Sequence, residues 1–498
     1  MSSNPQNPDP QALNLATIGE ETPLLPQPTK KGKTPLPKAQ LSILLLASLS
    51  EPISSQCIYP FINQLVSELD ITGGDEKKVG YYAGLIESLF FTAQALTVLR
   101  WSRLSDVIGR KPVILIGLFG LCISNVAFGL SRTFWTLIIS RSVAGLLNGN
   151  IGVMKSMIGE LADSTNMAQA FATLPLMWCV GVTVGPFTGG ILARPHDRFP
   201  GVFSGTFWIQ YPYFLPCFAA ACFTAIGFLT VALFAKETLP SRKDSKRIGF
   251  ESTLNSQTAA DNDVIPSELS AAEQQAPTDE IISFRVLITS PSVMIPIANY
   301  GFLALLELAY LALQPLFYST PTDIGGLGFS PSMIGTWMAL YGIIDGVFQV
   351  LFLAKIVDRW GAKRIFTTAV VCFFPLITLF PVMSWVIRLQ GGVGPAIWAL
   401  LVLQLILLVI MDMSYATIFI FVTSAAPNKR SLGALNGLGQ TTASIARAIA
   451  PAMSTSLFAL TMEKNLLGGY AVYLILYVMS GILVWLATRL PDQLPERD

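Results

Sequence analysis

SRLSDVIGRK, Ser102 to Lys111, sits between two long apolar runs. AKIVDRWGAK, Ala354 to Lys363, sits between two others in the second half of the chain. Asp106 matches Asp358, Gly109 matches Gly361 and Lys111 matches Lys363. A short charged turn that recurs between apolar runs points to a duplicated set of membrane helices.

Reading outward, the composition agrees. The chain has 498 residues, 52% hydrophobic and only 13% charged. A soluble surface needs roughly 25–35% charged residues, so this composition excludes an ordinary soluble enzyme. Net charge is +1, which offers no basic excess for nucleic acid. A bilayer span needs about 20 mostly apolar residues. Such runs fall near 39–63, 79–99, 112–130, 134–158, 168–193 and 207–234, and again near 286–317, 331–356, 365–387, 396–424, 431–461 and 468–488. The first is interrupted by Glu51 and Pro52, and the eleventh is rich in small residues, which favour close helix packing. Lipid offers the backbone no hydrogen-bond partner, so the spans are helical. The runs lack the alternation of a membrane barrel.

The expected fold is an all-α integral membrane protein, with twelve transmembrane helices in two pseudo-symmetric six-helix bundles. Residues 1–37 read as a disordered tail. Residues 38–235 form the N-terminal bundle. Residues 236–285, rich in Ser, Asp, Glu, Gln and Lys over 241–280, read as a largely disordered linker. Residues 286–490 form the C-terminal bundle, and 491–498 a tail. Most Lys and Arg fall in the tails, the linker and the alternate loops that hold Arg103, Arg110, Lys111, Arg359 and Lys363. By the positive-inside rule those parts, and both termini, face the cytosol. No cleavable signal peptide precedes the first span.

A second motif follows. GVTVGPFTGG, Gly181 to Gly190, lies late in the fifth span, and ARAIAP, Ala446 to Pro451, lies at the corresponding place in the eleventh. Glycines allow close helix approach, and proline removes a backbone bond. Two matched halves describe a transporter repeat with a site between them near mid-membrane.

The chain resembles the major facilitator superfamily over roughly residues 39–490, and is similar to its twelve-span drug:proton antiporter branch. The loop signature is met at Leu104, Asp106, Gly109, Arg110 and Lys111, and departs from the pattern at Ser102 and Val107. Its second copy keeps Asp358, Arg359 and Gly361. The antiporter signature is complete at Gly181, Gly185, Pro186, Gly189 and Gly190. Arg141, Gly145 and Gly149 resemble the family's arginine motif. RSVAGLLNGNIGV (Arg141 to Val153), KETLP (Lys236 to Pro240) and ALNGLGQT (Ala434 to Thr441) look similar to the zinc-induced-facilitator-like subgroup and its fungal relatives. The Cys-Pro-Gly-Cys and the His-rich loop of that subgroup's plant members are absent. The resemblance implies alternating access, with the two charged loops as gates and the glycine-rich span as a hinge.

Read physically, Asp106 can accept backbone N–H groups at a helix start, while Arg110 and Lys111 can pair with carboxylates or carbonyls on neighbouring helices. The alternative is that the two cations only set topology. Ionisable residues within spans are costly and default to functional candidates. They are Glu51, Glu87, Arg141, Glu307, Asp345, Asp412 and Arg447. Arg141 is expected to face Glu51 or Glu87, and Arg447 to face Glu307, Asp345 or Asp412. A carboxylate that exchanges a proton in a low-dielectric cavity can couple solute and proton flux. The alternative is static ion pairs that hold helices together.

With one histidine, His196, and six scattered cysteines, no metal site is expected. EETPLL, Glu20 to Leu25, fits an acidic di-leucine pattern (Glu20, Leu24, Leu25) that adaptor complexes read. It suggests a vacuolar or lysosomal membrane, with the plasma membrane as the alternative. No Walker A loop, GxSxG or HExxH occurs, so no enzyme activity is expected. The function expected is secondary active export of small organic solutes in exchange for protons, by a monomer without cofactors that draws on a proton gradient. The alternatives are a proton-independent facilitator of the same fold and a transporter-like nutrient sensor.

Overall fold

A computed structural model of the chain describes residues 35–162, 166, 170, 173–239, 289–425 and 431–492. Glu20, Leu24, Leu25 and nearly all of the linker stretch lie outside the described residues. Every regular element among them is helical. Among the described residues the main helical segments follow one another in two series of six. In the first half, α1 is broken into Lys38–Ser48, Ser50–Gln56 and Ile62–Ser67, followed by α2 (Val79–Ile108), α3 (Arg110–Gly129), α4 (Phe134–Leu161), α5 (Thr173–Leu192) and α6 (Phe214–Phe234). In the second, α7 (Pro291–Ser319), α8 (Pro331–Trp360), α9 (Ala362–Gln390), α10 (Pro395–Ser424), α11 (Ser431–Glu463) and α12 (Ala471–Thr488) repeat the series. Among the described residues nine helices are long and apolar enough to cross a bilayer, and the bent α2 makes a tenth. The other two are α1 and α5, whose apolar part is Leu176–Leu192.

The breaks have local causes. Pro52 and Pro60 each lack the N–H that would continue α1. In α4 the helix parts at Asn148 and Gly149. There Trp101 donates its indole N–H to the Leu146 carbonyl at 2.7 Å, taking the acceptor that Asn150 would use. A Cβ on Gly149 would lie 2.2 Å from the Trp101 Cβ, so only glycine lets α2 and α4 meet. In α8 the turn Gln349–Leu353 is a π-helix, a feature often found at functional sites.

Between the halves, α5 packs on α8 and α2 packs on α11. The close approaches lie toward the end where α2 and α8 begin, here the far end. A Cβ on Gly84 would meet the Pro451 carbonyl oxygen at 2.9 Å, and one on Gly80 the Thr455 carbonyl oxygen at 2.5 Å. The backbone N–H of Ala452 donates to Ser88 Oγ at 2.9 Å. In the α5–α8 pair a Cβ on Gly190 would meet the Pro331 carbonyl oxygen at 2.4 Å, and one on Gly335 the Pro186 carbonyl oxygen at 2.2 Å. Toward the opposite end, which bears the two charged turns and is here the motif end, contact relaxes. A Cβ on Gly346 would reach Cys179 only at 3.4 Å, and Val350, Leu351 and Phe352 beyond it are exposed.

Candidate functional site

The α2–α3 turn is a clamp within the first half. Gly109 has φ +108 and Gly361 φ +79, so the backbone favours glycine at both copies. Arg110 pairs with Asp106 and with Glu160 of α4 (2.8 Å), and donates to Ser105 Oγ at 2.6 Å. Glu237, just past α6, accepts the backbone N–H groups of Arg110 (2.9 Å) and Lys111 (3.0 Å). Lys111 Nζ reaches the Ala232 carbonyl at 2.8 Å, and Thr238 donates to Glu160. The cap on α3 is therefore Glu237. The expectation that Asp106 caps a helix start is corrected, because Asp106 lies at the end of α2 and its carboxylate turns to Arg110. In the second copy Lys363 pairs with Asp492 at 2.8 Å, while Asp358 and Arg359 are exposed.

The glycines of α5 form a seat. A Cβ on Gly181 would lie 2.3 Å from Pro52 Cβ, on Gly185 2.8 Å from Gln56 Cβ, and on Gly189 1.9 Å from the Cys57 carbonyl oxygen. Spaced four apart, these three line one face of the helix and receive the broken middle of α1. Gly190 turns to α8, as described. One motif thus packs α5 on its own half and on the other half at once.

The intramembrane charges do not pair. The ion pairs among the described residues join Lys78–Asp75, Arg110–Asp106, Arg110–Glu160, Arg194–Glu68, Arg194–Asp197 and Lys363–Asp492. None includes Glu51, Glu87, Arg141, Glu307, Asp345, Asp412 or Arg447. The expected Arg141–carboxylate pair does not occur at ion-pair distance. Arg141, 5% exposed, instead sits 5.0 Å from the Phe90 ring centroid and 5.6 Å from that of Phe128, with Nε unpartnered. Such cation–π contacts are worth about 2 kcal/mol when desolvated. Glu87 is the carboxylate that acts on it electrostatically.

The acids take neutral donors. Gln94 Nε2 donates to Glu51 at 3.1 Å, leaving the buried Oε2 without a partner. Tyr59 donates to Glu87, and Tyr415 to Glu307. The π-turn aims Gln349 Nε2 at both Asp345 (2.9 Å) and Asp412 (2.7 Å). The two carboxyls thus share one glutamine donor. Cys179 of α5 reaches Asp345 from the other half at 3.7 Å. Arg447 acts electrostatically on Glu307 and, across the halves, on Glu51.

Glu307, Asp345 and Asp412 line one central cavity between the halves, together with Gln56 of α1 and Trp178 of α5. It holds only about 30 Å³, roughly one water molecule. Sequence reasoning placed Asp345 and Glu307 among the candidates but missed Gln349, Gln94 and Trp337. A glutamine in an apolar span carries a polarity signal, but no sequence pattern says which acid it will meet.

A profile described as Major Facilitator Superfamily matches residues 44–451. The chain belongs to the major facilitator superfamily. It is 32% identical to the Psilocybe cyanescens "Major facilitator-type transporter psiT2" over 92% of this chain and 90% of that one. It is 30% identical to the Aspergillus niger "Efflux pump azaK", covering 94% and 92%. It is 28% identical to the Arabidopsis thaliana "Protein ZINC INDUCED FACILITATOR 1", covering 90% of each. Among solved structures, a D-xylose-proton symporter superposes with TM-score 0.64 at 15% identity, covering 92% of this chain and 98% of that one. Similarity at that identity speaks for the fold alone. As a major facilitator, the chain is a multi-pass membrane transporter. Its twelve helices, the α2–α11 and α5–α8 contacts between halves and the central cavity are parts of one transport fold.

Proposed function

We propose that the chain exports small organic solutes from the cytosol in exchange for protons. The motif end and both termini face the cytosol, and the membrane is vacuolar, lysosomal or plasma. The observation that carries this reading is the set of five intramembrane carboxyls, each bonded to neutral donors and none paired with a base among the described residues. A group held this way can take up and release a proton as water reaches it, without breaking an ion pair. The close packing of α2 on α11 and of α5 on α8 at the far end fits a state closed to the outside. The clamp of Asp106, Arg110, Glu160 and Glu237 gives the first half a stiff cytosolic edge, which suits a rigid-body gate. The name of the azaK relative supports export. With no nucleotide-binding motif, uphill transport draws on an ion gradient.

The test is flux of a panel of labelled cationic, neutral and anionic solutes in proteoliposomes, with and without an imposed pH gradient. Antiport predicts that the gradient accelerates uptake of at least one solute at least tenfold. Glu51→Gln and Glu87→Gln are expected to retain exchange but lose acceleration. Acceleration undiminished in both variants removes the first-half acids from coupling, and flux indifferent to the gradient in the native chain refutes antiport.

A further inference from the structure

Glu307, Tyr310, Gln314 and Tyr318 form a polar stripe along one face of α7, at spacings of three, four and four residues. Glu307 and Gln314 line the central cavity. Tyr310 and Tyr318 turn instead to Gln404 of α10. The result is a hydrogen-bonded chain that the proposed exchange does not yet use. Gln314 Nε2 donates to the Tyr318 hydroxyl at 2.9 Å. Tyr318 donates to Gln404 Oε1 at 2.6 Å, and Gln404 Nε2 donates to the Tyr310 hydroxyl at 2.6 Å. All four residues are buried, Gln314 the least so at 4% exposed. Of the four, Gln314 alone lines the cavity.

Hydrogen bonds in such a chain have to run one way. A tyrosine hydroxyl has one hydrogen to give, and a glutamine amide offers hydrogens on one side and an oxygen on the other. In the order just described, two groups are left over at the ends. The Tyr310 hydroxyl accepts from Gln404, and its own hydrogen has no acceptor among the described residues. Gln314 Oε1 has no donor among them. A buried donor left unpaired costs about 1–3 kcal/mol. The reverse order keeps all three contacts. With both amides turned over, Tyr310 donates to Gln404 Oε1, Gln404 Nε2 to Tyr318, and Tyr318 to Gln314 Oε1. That order spends the Tyr310 hydrogen and leaves the Gln314 amide hydrogens for the cavity. The cavity, at about 30 Å³, has room for roughly one water, and Glu307, Asp345 and Asp412 line it. Asp345 Oδ1 is buried there without a donor. An ionised carboxyl takes amide hydrogens, whereas a protonated one has a hydrogen to give and suits an amide oxygen. The two orders are therefore balanced against the charge of the cavity.

We propose that Gln404 is the pivot of a polarity relay, through which Gln314 shows the cavity a carbonyl oxygen while its carboxyls are protonated and amide hydrogens once they are ionised. Gln314 is thus a positioning residue for the proton exchange proposed above, and the idea rests on that reading of the site. The relay gives each charge state of the acids a neutral partner, so a proton can leave without an ion pair forming. Other groups act on the same acids. They are Cys179 at Asp345, Gln349 at Asp345 and Asp412, Tyr415 and Arg447 at Glu307, and Tyr341 in the cavity wall. None of these bonds to the relay among the described residues, so the relay can be changed without touching them.

The test is a pH titration of the full chain in nanodiscs, followed by the infrared C=O band of protonated carboxyls. The part of the band that Glu307→Gln, Asp345→Asn and Asp412→Asn remove reports the cavity acids, and no solute is needed. Tyr310→Phe takes away the hydrogen that the reverse order spends, so that order loses its advantage. The cavity acids are then expected to hold their proton about tenfold more tightly, a shift of about one pH unit. Tyr318→Phe cuts the link to Gln314 and should have the same effect. Because both act through one chain, the double variant should shift no further than either single change. Phe380→Leu disturbs the ring that packs on Tyr310, 5.4 Å between centroids, without touching the hydroxyl. It should lower thermal stability and leave proton affinity native. If Tyr310→Phe loses its fold, Tyr318→Phe is read in its place. Proton affinity within twofold of native in the folded tyrosine variant overturns the proposal. So does a double variant in which the two single shifts add, or a Phe380→Leu shift as large as that of Tyr310→Phe. The two readings fail separately. Native proton affinity in the tyrosine variants beside gradient-driven flux in the native chain would sink the relay and spare transport, whereas the tenfold shift with flux indifferent to the gradient would do the reverse.

Discussion

Glu237 shows how a side chain outside the membrane controls an element within it. Its two carboxylate oxygens take the backbone N–H groups of Arg110 and Lys111, across 127 and 126 residues of sequence. Losing a helix cap costs roughly 0.5–2 kcal/mol. Glu237→Ala is therefore expected to lower the unfolding free energy by about 1 kcal/mol and to speed amide exchange at Arg110 and Lys111, measured by hydrogen–deuterium exchange. Asp106 plays a different part. Its side chain is 56% exposed and pairs with a buried arginine that keeps Glu160 as a second partner. Asp106→Asn should leave thermal stability near native while slowing flux; unchanged flux would remove Asp106 from the gate. The buried acids were legible as candidates because an acid in an apolar run is conspicuous. Their partners were not. Gln94, Tyr59, Tyr415 and Gln349 come from other turns or other helices, and only packing decides who meets whom. Of the two acids expected to face Arg141, Glu87 is the one that acts on it, but without an ion pair, and the two phenylalanine rings beside the guanidinium were not foreseen.

At the scale of elements, α5 carries the sharpest sequence-to-structure link. The spacing of Gly181, Gly185 and Gly189 set them on one face before any fold was known, and α1 fills that face. A methyl group on Gly189 would lie 1.9 Å from the Cys57 carbonyl oxygen, a backbone atom that cannot rotate away. Overpacking of this kind costs about 1–3 kcal/mol or more. Gly189→Ala should sharply lower the detergent-solubilised unfolding temperature or abolish folded yield. Gly152, in α4, meets nothing within 4 Å. Gly152→Ala, which trades a poor helix former for a good one, should keep or slightly raise it. Equal behaviour of the two variants would contradict the seat. The breaks in α1 were half legible, since Pro52 and Pro60 are visible. The break in α4 was not, because its cause is the indole of Trp101 on a neighbouring helix. The π-turn of α8 has no sequence signature at all.

For the molecule as a whole, the repeat was the most readable property. Asp106 with Asp358, Gly109 with Gly361 and Pro186 with Pro451 told of two similar halves, and the α2–α11 and α5–α8 contacts show how those halves meet. The sequence could not reveal the state of the gate, which depends on where two bundles rest against each other. The central claim is that solute and proton exchange through this site. Proteoliposomes carrying a trapped pH dye, loaded at one pH and exposed to a transported solute from the panel, test it most directly. The account predicts that adding solute moves protons in the opposite direction, in proportion to solute uptake, and that Asp345→Asn in the presence of intact folding weakens that counterflow at least tenfold. Solute uptake with no accompanying proton movement in the native chain would contradict it.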